Sequence, residues 1–112
     1  MTDRDQWLEW HHKLAEIAEE LVRAEDAYHK AEALKKRVHA KLYLNARDEG
    51  RSQKDAECVA TASDEYAEIV ELENSAHREW KNAKYHYERG RMWMEAERTL
   101  EASRRAEMSL TR

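Results

Sequence analysis

The sequence predicts an all-α fold: a long antiparallel helical hairpin of coiled-coil type that dimerises into a four-helix bundle. The 112 residues include no proline and two glycines, a composition typical of long helices. Two apolar stripes with coiled-coil spacing flank one plausible turn. The charges beside the stripes are complementary when the chain is folded at that turn. We therefore expect a single helical domain over residues 1–112.

The first helix is predicted to span residues 3 to about 47. Thr2 and Asp5 form a capping pair, in which the hydroxyl accepts an early backbone N–H and the carboxylate offsets the positive helix end. The apolar stripe of this helix consists of Trp7, Trp10, Leu14, Ile17, Leu21, Ala24, Tyr28, Ala31, Val38 and Leu42. These residues form one face, which a partner helix is expected to cover.

The turn is predicted at residues 48–52. Gly50 can adopt the left-handed conformation that ends a helix, and Ser52 with Asp55 can cap the next one. The second helix would run from about 53 to 110, with the stripe Val59, Ala62, Tyr66, Ile69, Ala76, Trp80, Ala83 and Tyr87. Gly90 either is tolerated in this helix or breaks it and starts a short third helix.

Facing residues of such a hairpin have numbers that sum to a constant of about 100. Leu21 then faces Trp80, Leu14 faces Tyr87, and Gly90 has room for the Trp10 indole. Two polar seam residues, Lys35 and Glu73, would each face a tyrosine: Tyr66 and Tyr28, respectively. This register also leaves the end of the second helix without an intrachain partner.

A two-helix seam rich in alanine makes a thin core, which a second copy usually completes. Several large apolar residues would stay poorly covered in a lone hairpin, namely Leu34, Val70, Leu72 and Trp93. We therefore expect a homodimer. The unpaired end, in which Trp93, Ala96, Leu100, Ser103 and Leu110 continue a stripe, would dock on the second chain or fold back after Gly90.

Candidate residues for chemistry are few. The Glu9-x-x-His12 and Asp26-x-x-His29 spacings match di-iron helical bundles, but His12 and Asp26 fall opposite the seam. Cys58 lies at the seam edge with no strained turn or oxyanion donor nearby, as a partly buried thiol would. We therefore expect no catalytic residues, no metal site and no cofactor, and thus a protein that is not an enzyme.

Charge and hydropathy limit the classes of partner. The net charge of −4 is small beside the total of acids and bases, which argues against a basic nucleic-acid binder and an acidic nucleic-acid mimic. The acidic start of the chain does not resemble a signal peptide, and no stretch has membrane-spanning length. We expect a cytoplasmic protein that has no membrane partner.

The open end of the hairpin gathers tryptophan, methionine and arginine, which are enriched at binding hot spots. The candidate residues for partner binding or dimerisation are Trp7, Trp10, Met92, Trp93, Met94, Arg98, Leu100, Arg104 and Arg105. They would either seal a dimer core or form an exposed docking surface. The arginines with neighbouring aromatic residues also allow nucleic-acid binding, although interspersed glutamates make a mixed, solvated face the stronger expectation.

Two segments carry a family resemblance: residues 78–84, REWKNAK, and residues 91–108, RMWMEAERTLEASRRAEM. They resemble short all-helical phage-encoded proteins of the early or recombination region. The resemblance implies a non-catalytic accessory factor, for phage DNA metabolism or against a host defence, acting in the host cytoplasm. We expect a protein-binding accessory or inhibitor; the alternatives are a nucleic-acid-binding helper of recombination or replication and a purely structural coiled-coil module.

Overall fold

The computed structural model describes the backbone of residues 3–111 and the side chains of residues 4–110. Three helices account for nearly all of it: α1 (Asp3–Asp48), α2 (Gln53–Ala62) and α3 (Asp64–Thr111). No strand occurs within residues 3–111, and the all-α prediction is confirmed. The capping role expected for Thr2 lies outside the described residues.

The helices pack as two compact units. Unit 1 combines Met1–Leu21 with Asn82–Arg112, and unit 2 is Val22–Lys81. Within each unit, a segment of α1 lies antiparallel to a segment of α3. In unit 2 the two segments belong to a hairpin that contains the turn and α2, as the sequence predicted for this part of the chain.

The turn at Gly50 agrees with the prediction. Gly50 has φ 89°, and the Arg51 N–H donates to the Ala46 carbonyl at 3.2 Å, which is the hydrogen bond of a glycine-closed helix end. Ser52 caps α2, because its Oγ accepts the Asp55 N–H at 3.2 Å. Local backbone chemistry is therefore sufficient to place the turn.

The predicted second helix is interrupted at Ser63. This residue has φ −67° and ψ 140°, and its carbonyl accepts the Ala67 N–H at 3.0 Å as the first hydrogen bond of α3. A serine followed by two acids is a favourable helix start, and here it divides residues 53–110. Gly90 lies inside α3, so no short helix begins after it.

The register of α1 on α3 also differs from the prediction. The Lys35 Nζ lies 2.8 Å from Glu73 Oε2, although Lys35 was expected opposite Tyr66. Tyr28 stacks on Trp80, with ring centroids 5.1 Å apart, although it was expected opposite Glu73. Both partners lie one heptad further along α3 than predicted, a shift that leaves the pattern of apolar contacts intact.

Unit 2 is packed with small residues. Its buried residues are Ala31, Val38, Ala46, Ala56, Ala60 and Ala76. Helix α2 buries Ala56 and Ala60, so Val59, predicted on the seam, is 37% exposed, and Cys58 is exposed rather than partly buried. The other predicted seam residues are buried or half-buried, namely Leu14, Ile17, Leu21, Tyr28, Val38, Leu42, Tyr66, Ile69, Trp80 and Tyr87.

Candidate interaction surfaces

A cluster of tryptophans organises unit 1. The Trp10 ring contacts the Trp93 ring edge-to-face, with centroids 4.1 Å apart and planes inclined by 74°. Trp7 packs on Trp10 in the same manner at 5.5 Å. Trp7 and Trp10 are half-buried, whereas Trp93 is 45% exposed. The cluster therefore presents one indole to solvent while its neighbours hold that indole in place.

Gly90 lies against Leu14 and not, as predicted, against the Trp10 indole. A Cβ at Gly90 would lie 3.1 Å from Leu14 Cδ1, so the missing side chain lets the two helices approach closely. Beside this contact is a groove of about 140 Å³, which we call the Trp groove. It is lined by Trp10, Lys13, Leu14, Ile17, Gly90, Trp93 and Met94.

The residues of α3 that were predicted to bind a partner or to form a dimer lie on different faces of the helix. Met94 is buried at the seam, with 8% exposure, and does not belong to the surface. Trp93 and Leu100 are both exposed and share one face of α3, since they are a heptad apart. Met92 is exposed on another face of the helix. The stripe through Trp93 and Leu100, expected to have no intrachain partner, is thus an open surface of the chain.

Two of the three predicted arginines, Arg98 and Arg105, line a second groove in unit 1, with a volume of about 410 Å³. This Arg groove is lined by Trp7, His11, Arg98, Glu101, Ala102 and Arg105. Arg105 and Arg104 lie 3.6 and 3.8 Å from the half-buried Glu101, so Glu101 neutralises part of their charge. Arg98 has no ion-pair partner within residues 4–110.

A heptad spacing of bases escaped the sequence analysis. Lys84, Arg91, Arg98 and Arg105 are each seven residues apart on α3, which places them on one edge of unit 1. The repeat is visible in the sequence, but the neighbouring glutamates masked it. Arg91, for example, lies 3.7 Å from Glu95.

Unit 2 holds its polar groups in stabilising contacts. The carboxylate of Glu73, whose Oε2 lies 2.8 Å from the Lys35 Nζ, raises the pKa of Lys35 above its usual range, against a smaller opposing effect of desolvation. Tyr28 donates its hydroxyl proton to Glu32 Oε2 at 3.1 Å, and this bond is the main cause of a raised Tyr28 pKa. Neither arrangement places an activated nucleophile beside a base.

The residues considered for metal binding are engaged separately. Glu9 pairs with Lys13 at 3.4 Å and Asp26 pairs with Lys30 at 3.0 Å, both along the surface of α1. Within the described residues, no three histidine, cysteine, aspartate or glutamate side chains are grouped so that they could hold a metal ion. His39 contacts Glu57 at 3.6 Å.

Comparisons with protein-family models, with curated proteins and with solved structures found no match. Within the described residues, no helix is both long enough and apolar enough to span a membrane.

Proposed function

We propose that this protein is a non-catalytic protein-binding accessory factor or inhibitor that docks its partner on the exposed Trp93 and Leu100 face of unit 1. One observation carries the proposal: Trp93 is 45% exposed although Trp10 holds its ring at 4.1 Å. A large apolar ring that is already fixed loses little conformational entropy on binding, and tryptophan is the residue most enriched at hot spots.

The Trp groove supports the same proposal and suggests the chemistry of the partner. Lys13 is the one charged residue lining it; the other residues are apolar or glycine. A partner that inserts a bulky apolar side chain beside Trp93 would fill the groove and cover Leu100. An amphipathic helix with apolar residues one or two turns apart has that form.

The test compares Trp93→Ala with Met92→Ala. Both residues are exposed neighbours on α3 but lie on different faces, so Met92→Ala controls for the loss of any large apolar side chain. A partner would be identified by cross-linking in cells, purified and titrated with each variant. We expect Trp93→Ala to weaken binding at least about tenfold and Met92→Ala to leave it unchanged. Equal affinities for the two variants would contradict the proposal.

The proposed setting is the cytoplasm, and the phage-type role rests on the resemblance of residues 78–84 and 91–108. We also propose that the chain acts as a homodimer. A purely structural coiled-coil module is the outcome if no macromolecule binds the Trp93 face.

Nucleic-acid binding is a second candidate function, favoured by the heptad-spaced bases beside the Arg groove. Half-buried Trp7 lines that groove together with His11 and Arg98, so a base could stack near phosphate-binding cations. Fluorescence anisotropy with a single-stranded oligonucleotide at increasing salt is the test. Binding that weakens with salt and is reduced by Arg98→Gln would favour this function. Unchanged anisotropy would exclude it.

A further inference from the structure

The open side of unit 2 carries an apolar surface that none of residues 4–110 covers. We call it the Leu face; its residues are Ala27, Ala31, Leu34, Leu72 and Ala76. They line a groove of about 350 Å³ together with Lys30, Ser75 and Glu79. Leu34 is 38% exposed and Leu72 is 49% exposed. Two exposed leucines in a groove lined with alanines indicate an interaction surface.

The two borders of the Leu face have opposite charge. On α1, Arg37 and Lys41 line an adjoining groove with Leu34, and Glu65 of α3 lines the same groove. Glu65 is a heptad before Leu72 on α3, and Glu68 is a heptad before Ser75. None of these four charged residues has an ion-pair partner within residues 4–110. One helix therefore offers free cations and the other free anions.

We propose that a second copy of this chain covers the Leu face, related by a two-fold axis that runs parallel to the helices of unit 2. Such an axis places α1 of one protomer on α3 of its partner. The basic border then meets the acidic border twice, once on each side of the interface. This proposal rests on the proposed homodimer and is independent of docking at Trp93.

Charge selects this symmetry over the other two-fold arrangement. An axis perpendicular to the helices would place α1 on α1 in antiparallel orientation. With Leu34 at that axis, Arg37 and Lys41 would meet Ala31 and Ala27 of the partner subunit and gain no acidic partner, so charge complementarity favours the parallel axis. With the parallel axis, Lys41 lies opposite Glu65 of the partner subunit and Arg37 lies opposite Glu68 of the partner subunit.

The intrachain register makes the apolar layer self-complementary. The Lys35 to Glu73 contact sets the preceding residues, Leu34 and Leu72, at nearly the same level along unit 2. A two-fold axis along the helices does not change this level. Leu34 therefore faces Leu72 of the partner subunit, and the same pair recurs on the other side of the axis, as an isologous interface requires.

The experiment uses the full chain and measures mass by light scattering at fixed micromolar concentration. Leu34→Glu and Leu72→Lys are made separately, with Leu8→Glu of unit 1 as the control for adding a charge at an exposed leucine. We expect dimers for the unsubstituted chain and for Leu8→Glu. Each unit 2 variant should be monomeric, with a dimer dissociation constant raised about 100-fold. Circular dichroism checks that each remains helical.

An equimolar mixture of the Leu34→Glu and Leu72→Lys chains tests the symmetry. With the proposed axis, the introduced glutamate of one chain faces the introduced lysine of the other, while the remaining leucines still meet, so the mixture should dimerise. With the perpendicular axis these charges do not meet, and the mixture should stay monomeric. A monomeric mixture, dimeric single variants or a monomeric unsubstituted chain would each overturn the proposal. Any of these results leaves docking at Trp93 to be judged by its own titration.

Discussion

The two units use the same pair of helices but pack them with different residues. Unit 2 buries alanines and one valine, and the Lys35 to Glu73 ion pair sets the axial alignment of α1 on α3 there. Unit 1 packs tryptophans, methionine and glycine, and leaves the Trp93 ring of its tryptophan cluster exposed. Small residues bring helices close and need a polar contact to choose among similar registers. Large aromatic rings supply more apolar area but leave part of it exposed to solvent at the interface between the helices.

If aromatic area is the main stabilising contribution in unit 1, Trp10→Ala should have the largest effect of any single change. Trp10 is half-buried between Trp7 and Trp93, and we expect its truncation to lower the free energy of unfolding by about 3 kcal/mol. Trp93→Ala is the matched control and should cost clearly less, because Trp93 is the more exposed ring. Urea denaturation at one protein concentration measures both. Equal costs would mean that the cluster does not depend on burial.

If polar specificity matters most in unit 2, Glu73→Ala should destabilise it by about 2 kcal/mol, because it leaves Lys35 unpaired at the seam. This figure is below the cost for a fully buried pair, since the two side chains are 29% and 16% exposed. Replacing both residues by leucine should recover most of the loss. Lys30→Ala, which removes an exposed pair with Asp26, should cost under about 0.5 kcal/mol in the same denaturation experiment. If the double variant did not recover the free energy of unfolding, the ion pair would stabilise unit 2 more than two leucines in its place.

Substitutions of the two glycines should change stability least, and in opposite directions. Gly50→Ala should cost about 1 kcal/mol, because φ 89° disfavours a side chain. Gly90→Ala gains helix propensity of about 1 kcal/mol, partly offset by the 3.1 Å approach to Leu14 Cδ1. Because that methyl group ends a flexible side chain, we expect a small net stabilisation by thermal denaturation. A destabilised Gly90→Ala chain would show that unit 1 also depends on close helix approach.

Sequence reasoning succeeded where the cause is local. The conformation of Gly50 and the Ser52 cap depend on neighbouring backbone groups, and the stripe residues follow from helix periodicity. It failed where several arrangements satisfy the same pattern. A heptad repeat looks alike after a shift of one heptad, so spacing did not reveal that Lys35 meets Glu73. The sequence analysis missed the break at Ser63 because a serine followed by two acidic residues also occurs inside exposed helices.

The candidate surfaces were found only in part. Poor coverage of Leu34, Val70, Leu72 and Trp93 was expected from the thin seam; the structure leaves three of them exposed, whereas Val70 is half-buried. The sequence did not identify which face of α3 turns toward α1 beyond Tyr87: Gly90 lies against Leu14 and Met94 is buried, whereas Trp93 and Leu100 are exposed. Because Trp93 and Met94 are consecutive residues, about 100° apart around the helix, assigning the wrong one to the seam exchanges a buried face for an exposed one.

The division at Leu21 and Asn82 also sets an order of assembly. Unit 2 is continuous, so its helices can meet after the chain closes the short loop around Gly50. Unit 1 joins segments from either side of Val22–Lys81, and closing so long a loop costs more chain entropy unless that intervening stretch has already folded. We therefore expect the amides of unit 2 to acquire protection from hydrogen exchange first during refolding, with the tryptophan contacts forming last.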